Sequence, residues 1–249
     1  MHRFFVLSDS IQGDTVLLPK KESHHALSVL RVQVGEVVEI LDGSGRTLRG
    51  IASKISEGQL LVQIDKNTPV GAGNLLPVEI ALAVSVIKPE PMDLLIQKAC
   101  ELGVRRIVPL ITERCVIKLT KERWDSKIER WQKIVAESCK QCGRTALPEV
   151  TPLKKFDSFL AETKNYDKAF IPTLAVPGKN FSVALSGVHA KKILVFIGPE
   201  GDFTKKEAEA ATSQGVVPVS LGSLVMRTET AAIFTLSVLN YLSGELASN

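Results

Sequence analysis

The chain has 249 residues, of which 45% are hydrophobic and 23% charged, and its formal net charge is +4. This length favours two domains, and the hydrophobic content is sufficient for a buried core, which excludes a disordered chain. A secreted or membrane-embedded protein is excluded as well, because the first apolar run covers four residues and the longest, Leu75 to Ile87, is shorter than the roughly 20 residues of a membrane helix.

The N-terminal part of the chain, up to residue 72, is predicted to be a small β-barrel or meander. Predicted strands cover residues 15–18, 37–41, 48–52 and 60–64, and turn residues at 42–45 form a tight connection. Between the first two strands, residues 23–31 have apolar side chains at helical spacing. A short helix at this place would bring His24, His25 and Arg31 close together.

A segment rich in proline and glycine at residues 68–74 predicts a linker, and we place the domain boundary between residues 72 and 73. Beyond it, apolar β-like runs alternate with helical patterns. Strands are predicted at 78–87, 106–111, 168–174, 192–197 and 216–220, and helices at 92–103, 121–141, 156–163, 204–214 and 228–246. This alternation predicts an α/β domain with a mainly parallel sheet.

Two glycine-containing loops each follow a predicted buried strand and precede a helix. The first is Gly198-Pro199-Glu200-Gly201, after which Thr204 and Glu207 have the spacing of a capping box. The second runs from Leu221 to Met226 and leads directly to Arg227 at the start of the last helix. Such loops expose backbone amides to a ligand at the carboxyl edge of a sheet, although either one alone is equally typical of an ordinary turn. Neither has the spacing of a nucleoside triphosphate site.

A local excess of basic residues lies between Arg114 and Arg144, where nine basic side chains stand against four acidic ones. Residues 1–72 are neutral, with eight side chains of each sign. The basic stretch is compatible with a phosphate-rich partner such as RNA, but a solvated helix face is the simpler interpretation of the charge alone.

The four cysteines are few for the length of the chain, which favours a reducing compartment and predicts a cytoplasmic protein. Cys139 and Cys142 have the spacing of half a zinc site. Because Cys100 and Cys115 do not supply the other half, no metal site is predicted.

Six short motifs together resemble a known family. In chain order they are Arg3-Phe4-Phe5, His24-His25 with residues 29–31, residues 98–104, Gln141 with Arg144, Gly198-Pro199-Glu200-Gly201 and residues 226–231. They resemble the RsmE-type family, in the SPOUT class of RNA methyltransferases, over almost the whole chain. The resemblance implies a PUA-like β-barrel at residues 1–72, which docks RNA, followed at residues 73–249 by an α/β domain whose mainly parallel sheet is threaded into a trefoil knot. Asp202 departs from the family, which often has a third glycine there, and so do Cys139 and Cys142.

The resemblance also implies an activity, the S-adenosylmethionine-dependent methylation of N3 of a specific uridine in 16S ribosomal RNA of the small subunit. In the family, backbone groups from three loops hold the adenine of the methyl donor. The corresponding cofactor-binding residues here are Thr173, Leu174, Ile197, Gly198, Pro199, Glu200, Gly201, Leu221, Gly222 and Met226. Of these, Ile197, Leu221 and Met226 would wall an apolar adenine slot, or they are ordinary core residues.

Methyl transfer to uridine N3 requires alignment of donor and acceptor and loss of the N3 proton. Arg227 is the candidate for stabilising the charge that develops on the uracil oxygens, and Glu200 is a candidate base. Alternatively, Arg227 pairs with Glu200 or Glu229 in a purely structural role.

The resemblance further implies RNA contacts and a homodimer. The candidate RNA-binding residues are Arg3, His24, His25, Arg31 and Arg144, although a histidine pair in a small domain is also typical of structural or surface positions. The apolar face of the last helix, residues 231–246, is expected to pack against the partner subunit or in its own core. Two other functions remain open: the same chemistry on transfer RNA, and a non-catalytic RNA-binding factor for ribosome assembly.

Overall fold

In the computed structural model of the protein, the structure describes residues 1–6, 10–43, 45–65, 71–72, 76–115 and 121–244. Ser44 of the predicted turn, most of the predicted linker, Lys118 of the basic stretch and the last two residues of the predicted C-terminal helix lie outside these ranges. The chain forms two compact units. One comprises Met1–Leu75 and Ala136–Leu147, and the other comprises Leu76–Val135 and Pro148–Asn249.

The first unit is built on one twisted sheet. Its strands are β1 (His2–Phe5), β2 (Ile11–Gln12), β3 (Thr15–Leu17), β4 (Val37–Leu41), β5 (Arg46–Ser56), β6 (Gln59–Ile64) and β7 (Gly71–Ala72). They lie in the order β1-β4-β5-β6-β3-β2, with β7 beside β5. β1 is parallel to β4, and the other pairs are antiparallel. The four predicted strands are therefore confirmed.

The predicted helix of this unit begins earlier than expected. It consists of α1 (Lys20–His24), which continues into a π-helical turn (His25–Val29). Ser23, the expected start, lies inside the helix, where its hydroxyl donates to Leu18 O at 2.9 Å and accepts from Leu60 N at 3.0 Å. These two bonds hold the helix on the sheet, so packing against β6 determines its position.

The second unit contains a parallel sheet with helices. Its strands are β8 (Glu79–Ser85), β9 (Arg106–Ile111), β10 (Glu149–Val150), β11 (Lys154–Lys155), β12 (Lys168–Pro172), β13 (Lys179–Asn180), β14 (Lys192–Ile197) and β15 (Val217–Ser220). Their order is β10-β9-β8-β14-β12-β15-β13, with β11 also beside β9, and the described pairs are all parallel. β8 and β14 are central and buried on both faces, which explains their continuous apolar runs and confirms the predicted parallel sheet.

The helices of this unit are α2 (Pro89–Glu101), the first part of α3 (Lys121–Cys142), α4 (Phe156–Leu160), α5 (Phe181–Leu185), α6 (Lys205–Ser213) and α7 (Thr228–Tyr241). The last seven residues of α3 belong to the first unit. Two predicted helices are shorter than expected, since α4 ends at Leu160 and α7 at Tyr241. None of the helices within the described ranges is both long and apolar enough to cross a membrane.

Candidate active site

A cavity lies in the second unit where three neighbouring strands end. β14 pairs with β12, and β12 pairs with β15, all in parallel, so the loops that follow them meet at one edge of the sheet. The residues that line the cavity are Pro172, Thr173, Leu174, Ile197, Gly198, Pro199, Glu200, Asp202, Val219, Ser220, Leu221, Gly222, Leu224, Val225, Met226, Thr228 and Ala231. These include every predicted cofactor-binding residue except Gly201.

The first glycine loop is held tightly at its base. A Cβ on Gly198 would lie 3.1 Å from the ring of Phe203 and 3.2 Å from its backbone nitrogen, which is closer than side-chain carbons normally approach. Phe203 is itself fixed in the core, where its ring packs against Phe156 at a centroid distance of 5.3 Å. Gly198 therefore lets the loop lie directly on a buried aromatic residue.

The same loop is stabilised on two further sides. Gly201 O accepts a hydrogen bond from the guanidinium of Arg114 at 2.5 Å. Beyond the loop, Thr204 and Glu207 form the predicted capping box at the start of α6, and Glu207 also accepts a hydrogen bond from Glu113 N at 2.8 Å. The loop is therefore anchored both to the segment after β9 and to the first turn of α6.

Asp202 links two of the three loops. Its Oδ2 accepts hydrogen bonds from the Thr173 hydroxyl at 2.9 Å and from Leu174 N at 2.7 Å, and its Oδ1 accepts from Phe203 N at 2.7 Å. The residue has a φ of 60°, in the left-handed region that favours glycine and that aspartate tolerates better than most residues. Glycine adopts this conformation without strain, which explains why it suits the position. The aspartate adds the hydrogen bonds from Thr173 and Leu174, which join two of the loops.

The two candidate catalytic side chains are both exposed, but only Glu200 lines the cavity. Arg227 caps the start of α7 through its backbone, since its carbonyl accepts a hydrogen bond from Ala231 N at 2.8 Å. Among the described residues, its guanidinium forms no hydrogen bond or ion pair with Glu200 or Glu229. The alternative structural role for Arg227 therefore has no support in these contacts.

The first unit carries a separate cleft lined by Met1, His2, Arg3, Lys21, Glu22, His25, Glu137, Lys140 and Gln141. Of the candidate RNA-binding residues, only Arg3 and His25 line it. His24 is exposed and lies 3.2 Å from the hydroxyl of Ser28, and Arg31 is exposed with a left-handed φ of 55°. Arg144 is only 5% exposed, so it contributes to the interior of this unit.

Ion pairs order the charged side chains of this cleft. Lys140 pairs with Glu22 and lies 3.4 Å from Glu137, which also pairs with Lys21 at 3.0 Å. Partial burial opposes ionisation of Glu137, but the hydrogen bond from Lys21 and the charge of Lys140 hold its pKa below the ordinary value. Arg3 pairs with Glu39 at 2.9 Å. Much of the positive charge in the cleft is therefore compensated locally.

Comparison with known proteins also divides the chain into an N-terminal and a C-terminal part. A family model of an RNA methyltransferase domain matches residues 74–240, and a model of an RNA methyltransferase PUA domain matches residues 18–65. Ribosomal RNA small subunit methyltransferase E of Synechocystis is 31% identical, over 97% of this chain and 78% of the relative. The protein of the same name from Bacillus subtilis is 27% identical, over 97% of this chain and 96% of the relative.

The chain belongs to the ribosomal RNA small subunit methyltransferase E family. The resemblance expected from the motifs is thus confirmed, and the PUA-like part with it. Solved structures agree along the whole chain. Methyltransferase E of Neisseria gonorrhoeae, bound to S-adenosylmethionine, is 29% identical and covers 97% of this chain and 98% of its own, with a TM-score of 0.83. A Legionella pneumophila protein with bound S-adenosylmethionine is 33% identical and covers 96% of both chains, with a TM-score of 0.85.

Sequence reasoning missed several residues that line the cavity of this family member. They are Pro172, Asp202, Val219, Ser220, Thr228 and Ala231. Thr228 is the most informative, because it is 4% exposed and its hydroxyl oxygen is buried without a hydrogen-bond partner. Its position directly after Arg227, at the first residue of the last helix, was the signal available in the sequence.

No group of three or more histidine, cysteine, aspartate or glutamate residues that could hold a metal ion occurs in the described part of the chain. Cys139 is buried and Cys142 is exposed, and the Cys142 thiol lies 3.7 Å from the carbonyl oxygen of Cys139. Although the residue is exposed, partial burial of its thiol raises the pKa of Cys142, which favours the protonated form.

Proposed function

We propose that this protein transfers a methyl group from S-adenosylmethionine to N3 of a specific uridine in 16S ribosomal RNA of the small subunit. One observation carries the proposal: three loops at adjacent strand ends form a single cavity in a family member, and they are the loops that the motif resemblance assigned to the methyl donor. The related Neisseria and Legionella structures hold this donor.

The residues present fit an adenosyl group. Ile197 and Val219 are buried and give the inner part of the cavity apolar walls, while Leu221 and Met226 are partly exposed. Thr228, whose hydroxyl is buried without a hydrogen-bond partner, also lines the cavity. A slot with apolar walls and a few polar contacts is what an adenine ring requires.

The arrangement of strands supports a trefoil knot as part of this proposal. β15 follows β14 in sequence but pairs with β12, on the far side of β12 from β14. The chain must therefore cross over β12 between the two glycine loops. We propose that this crossing is threaded as in the SPOUT class, which brings all three loops around one bent ligand.

The chemistry assigns distinct tasks to Arg227 and Glu200. When bound, S-adenosylmethionine supplies an electrophilic methyl group for in-line attack by uridine N3. The guanidinium of Arg227, exposed and next to Met226 of the cavity wall, stabilises negative charge on the uracil carbonyl oxygens. Glu200 lies at the exposed side of the cavity, where its carboxylate accepts the N3 proton.

RNA docking is the proposed task of the PUA-like domain, residues 1–72. N3 lies on the Watson–Crick edge, so the target uridine must be unpaired or turned out of its stack. The exposed side chains available for RNA contacts are those of Arg3, His24, His25 and Arg31. Arg144 is buried and packs in the interior of its unit. Because the proposed substrate is ribosomal RNA, we propose that the protein acts in the cytoplasm.

We also propose that the protein is a homodimer. Leu224 and Val225, on the rim of the cavity, are 79% and 81% exposed, and Tyr241 at the end of α7 is 86% exposed. Exposed large apolar side chains are typical of an interface. The inner face of α7 packs in its own unit through residues such as Leu236 and Leu239, so only its outer face is available to a partner.

The test is a binding measurement followed by an activity measurement. Calorimetry with S-adenosylmethionine is expected to show binding, and transfer of a radiolabelled methyl group to small-subunit particles is expected to map to a single uridine. Binding without transfer to any RNA would favour the assembly factor. Transfer to transfer RNA but not to ribosomal RNA would replace the proposed substrate.

A further inference from the structure

Thr228 differs from Thr235 and Thr212, two other helical threonines of the second unit. In α7, the hydroxyl of Thr235 donates to Ala231 O at 2.7 Å, and in α6 the hydroxyl of Thr212 donates to Ala208 O at 2.8 Å. Thr228 is the first residue of α7, so the residues three and four positions before it are not helical and their carbonyl groups are not placed for such a bond. Its oxygen is buried without a partner, although a buried hydroxyl without a hydrogen bond costs free energy.

The cavity offers the missing partner. Thr228 lines it together with buried Ile197 and Val219, whereas Glu200 and Leu224 on the rim are exposed. Thr228 therefore belongs to the buried, inner part of the cavity lining. Among the described residues, no side chain caps the start of α7, so no side chain competes with a ligand for the first backbone amides of this helix.

The chemistry of S-adenosylmethionine determines which part of this molecule fits the buried, inner end of the cavity. The amino-acid part of S-adenosylmethionine carries charges that need water, and the positive sulfonium is disfavoured near the positive end of a helix dipole. The adenine is flat and uncharged, with hydrogen-bonding nitrogens along its edge. Burial beside Ile197 and Val219 therefore suits the adenine and leaves the charged part at the exposed rim.

We propose that the Thr228 hydroxyl recognises the edge of the adenine ring and acts as a specificity-determining residue for the methyl donor. This inference rests on the proposed function, because it presumes that the cavity binds an adenosyl group. No described protein group satisfies the hydroxyl, so a ligand in the cavity supplies its hydrogen-bond partner. Thr228 therefore favours the bound state more than it stabilises the fold.

The experiment compares Thr228→Val, which replaces the hydroxyl with a methyl group of similar size, with Thr228→Ser, which keeps the hydroxyl. Calorimetry of the full chain uses S-adenosylmethionine, S-adenosylhomocysteine and 5′-methylthioadenosine, which lacks the amino-acid part. Thr228→Val is expected to weaken the binding of all three by about tenfold, the effect of one hydrogen bond, and Thr228→Ser to stay within about twofold of the unaltered protein.

Thermal unfolding without ligand provides an independent readout. Thr228→Val is expected to leave the Tm unchanged or raise it, because the substitution removes an unpartnered buried hydroxyl. The matched control Thr235→Val removes a partnered hydroxyl from the same helix and is expected to lower the Tm without changing affinity. A merely structural role for Thr228 would give the opposite result for the Tm.

Unchanged affinity of Thr228→Val would overturn this inference alone. A loss confined to S-adenosylmethionine and S-adenosylhomocysteine, with 5′-methylthioadenosine unaffected, would also overturn it, because the contact would then be to the amino-acid part. If the unaltered protein bound none of the three ligands, the proposed function and this inference would both be overturned.

Discussion

The carboxylate of Asp202 and the hydroxyl of Thr173 are joined by a hydrogen bond of 2.9 Å, which ties the loop after β14 to the loop after β12. The same carboxylate oxygen accepts Leu174 N at 2.7 Å. Both bonded loops line the cavity, so one acidic side chain fixes the separation of two of its walls. The cavity is lined largely by loops, which are less rigid than helices and strands. The hydrogen bonds of Asp202 therefore help to hold these loops in place.

Asp202→Asn is expected to weaken the binding of S-adenosylmethionine by about tenfold, since hydrogen bonds to a charged acceptor are stronger than those to a neutral one and the new amide nitrogen cannot accept. Asparagine tolerates the left-handed φ of this position, so the backbone is not strained by the change. Calorimetry measures the affinity, and circular dichroism verifies the fold.

Asp167→Asn is the matched control for this prediction. Asp167 Oδ2 also accepts two backbone amides, from Lys191 and Lys192, both at 2.8 Å, but Asp167 does not line the cavity. The control is expected to keep the affinity of the unaltered protein. An equal loss of affinity in both variants would show that Asp202 acts through general stability and not through the loops.

The stability of the protein is expected to depend on Asp167 in a pH-dependent manner. Hydrogen bonds from the backbone amides of Lys192 and Lys191 lower the pKa of Asp167 below its ordinary value. The charged carboxylate therefore stabilises the fold at a pH above the unfolded-state pKa of about 4, and this contribution is lost as the pH falls through the folded-state pKa. Urea unfolding of the unaltered protein and of Asp167→Asn should show a difference in unfolding free energy at neutral pH that shrinks in acid. A difference that grows in acid would contradict this assignment.

Much of the second unit was predictable because its signals are local. The continuous apolar runs of β8 and β14 indicated strands buried on both faces, and the spacing of Thr204 and Glu207 indicated the start of α6. The glycine loops were recognisable from their position between a strand and a helix. Parallel pairing then brings the loops to one edge of the sheet. The individual lining residues were expected from the family resemblance and not from these local patterns.

The parts that were not predicted depend on contacts between residues distant in sequence. β13 has two residues and is held by pairing with β15, and the link between Thr173 and Asp202 spans 29 positions. Contacts between residues distant in sequence also explain why residues 136–147 belong to the first unit and why Arg144 is buried. No local pattern specifies such contacts, so composition and periodicity could not reveal them.

Gly198→Ala is expected to lower the free energy of unfolding by about 1–3 kcal/mol, the usual cost of overpacking a filled site. The added Cβ would lie 3.1 Å from the Phe203 ring, which cannot move because it is buried against Phe156. Gly201→Ala is the matched control in the same loop. Its Cβ would approach only the flexible Arg114 side chain, at 3.4 Å, and we expect a change within about 0.5 kcal/mol. Chemical denaturation measures both, and equal effects would contradict the proposed contact with Phe203.

Arg227→Ala is expected to reduce kcat for methyl transfer by about a hundredfold or more, the effect of removing one group that stabilises a developing charge. The guanidinium is exposed and, among the described residues, has no hydrogen-bond or ion-pair partner, so the Tm is expected to stay unchanged. Arg227→Lys should recover part of the activity, because it keeps the charge but loses the planar pair of donors. Radiolabelled transfer to small-subunit particles measures kcat, and calorimetry measures donor affinity. A loss of donor affinity that accounts for the whole loss of activity would assign Arg227 to donor binding, and full activity of Arg227→Ala would remove it from the mechanism.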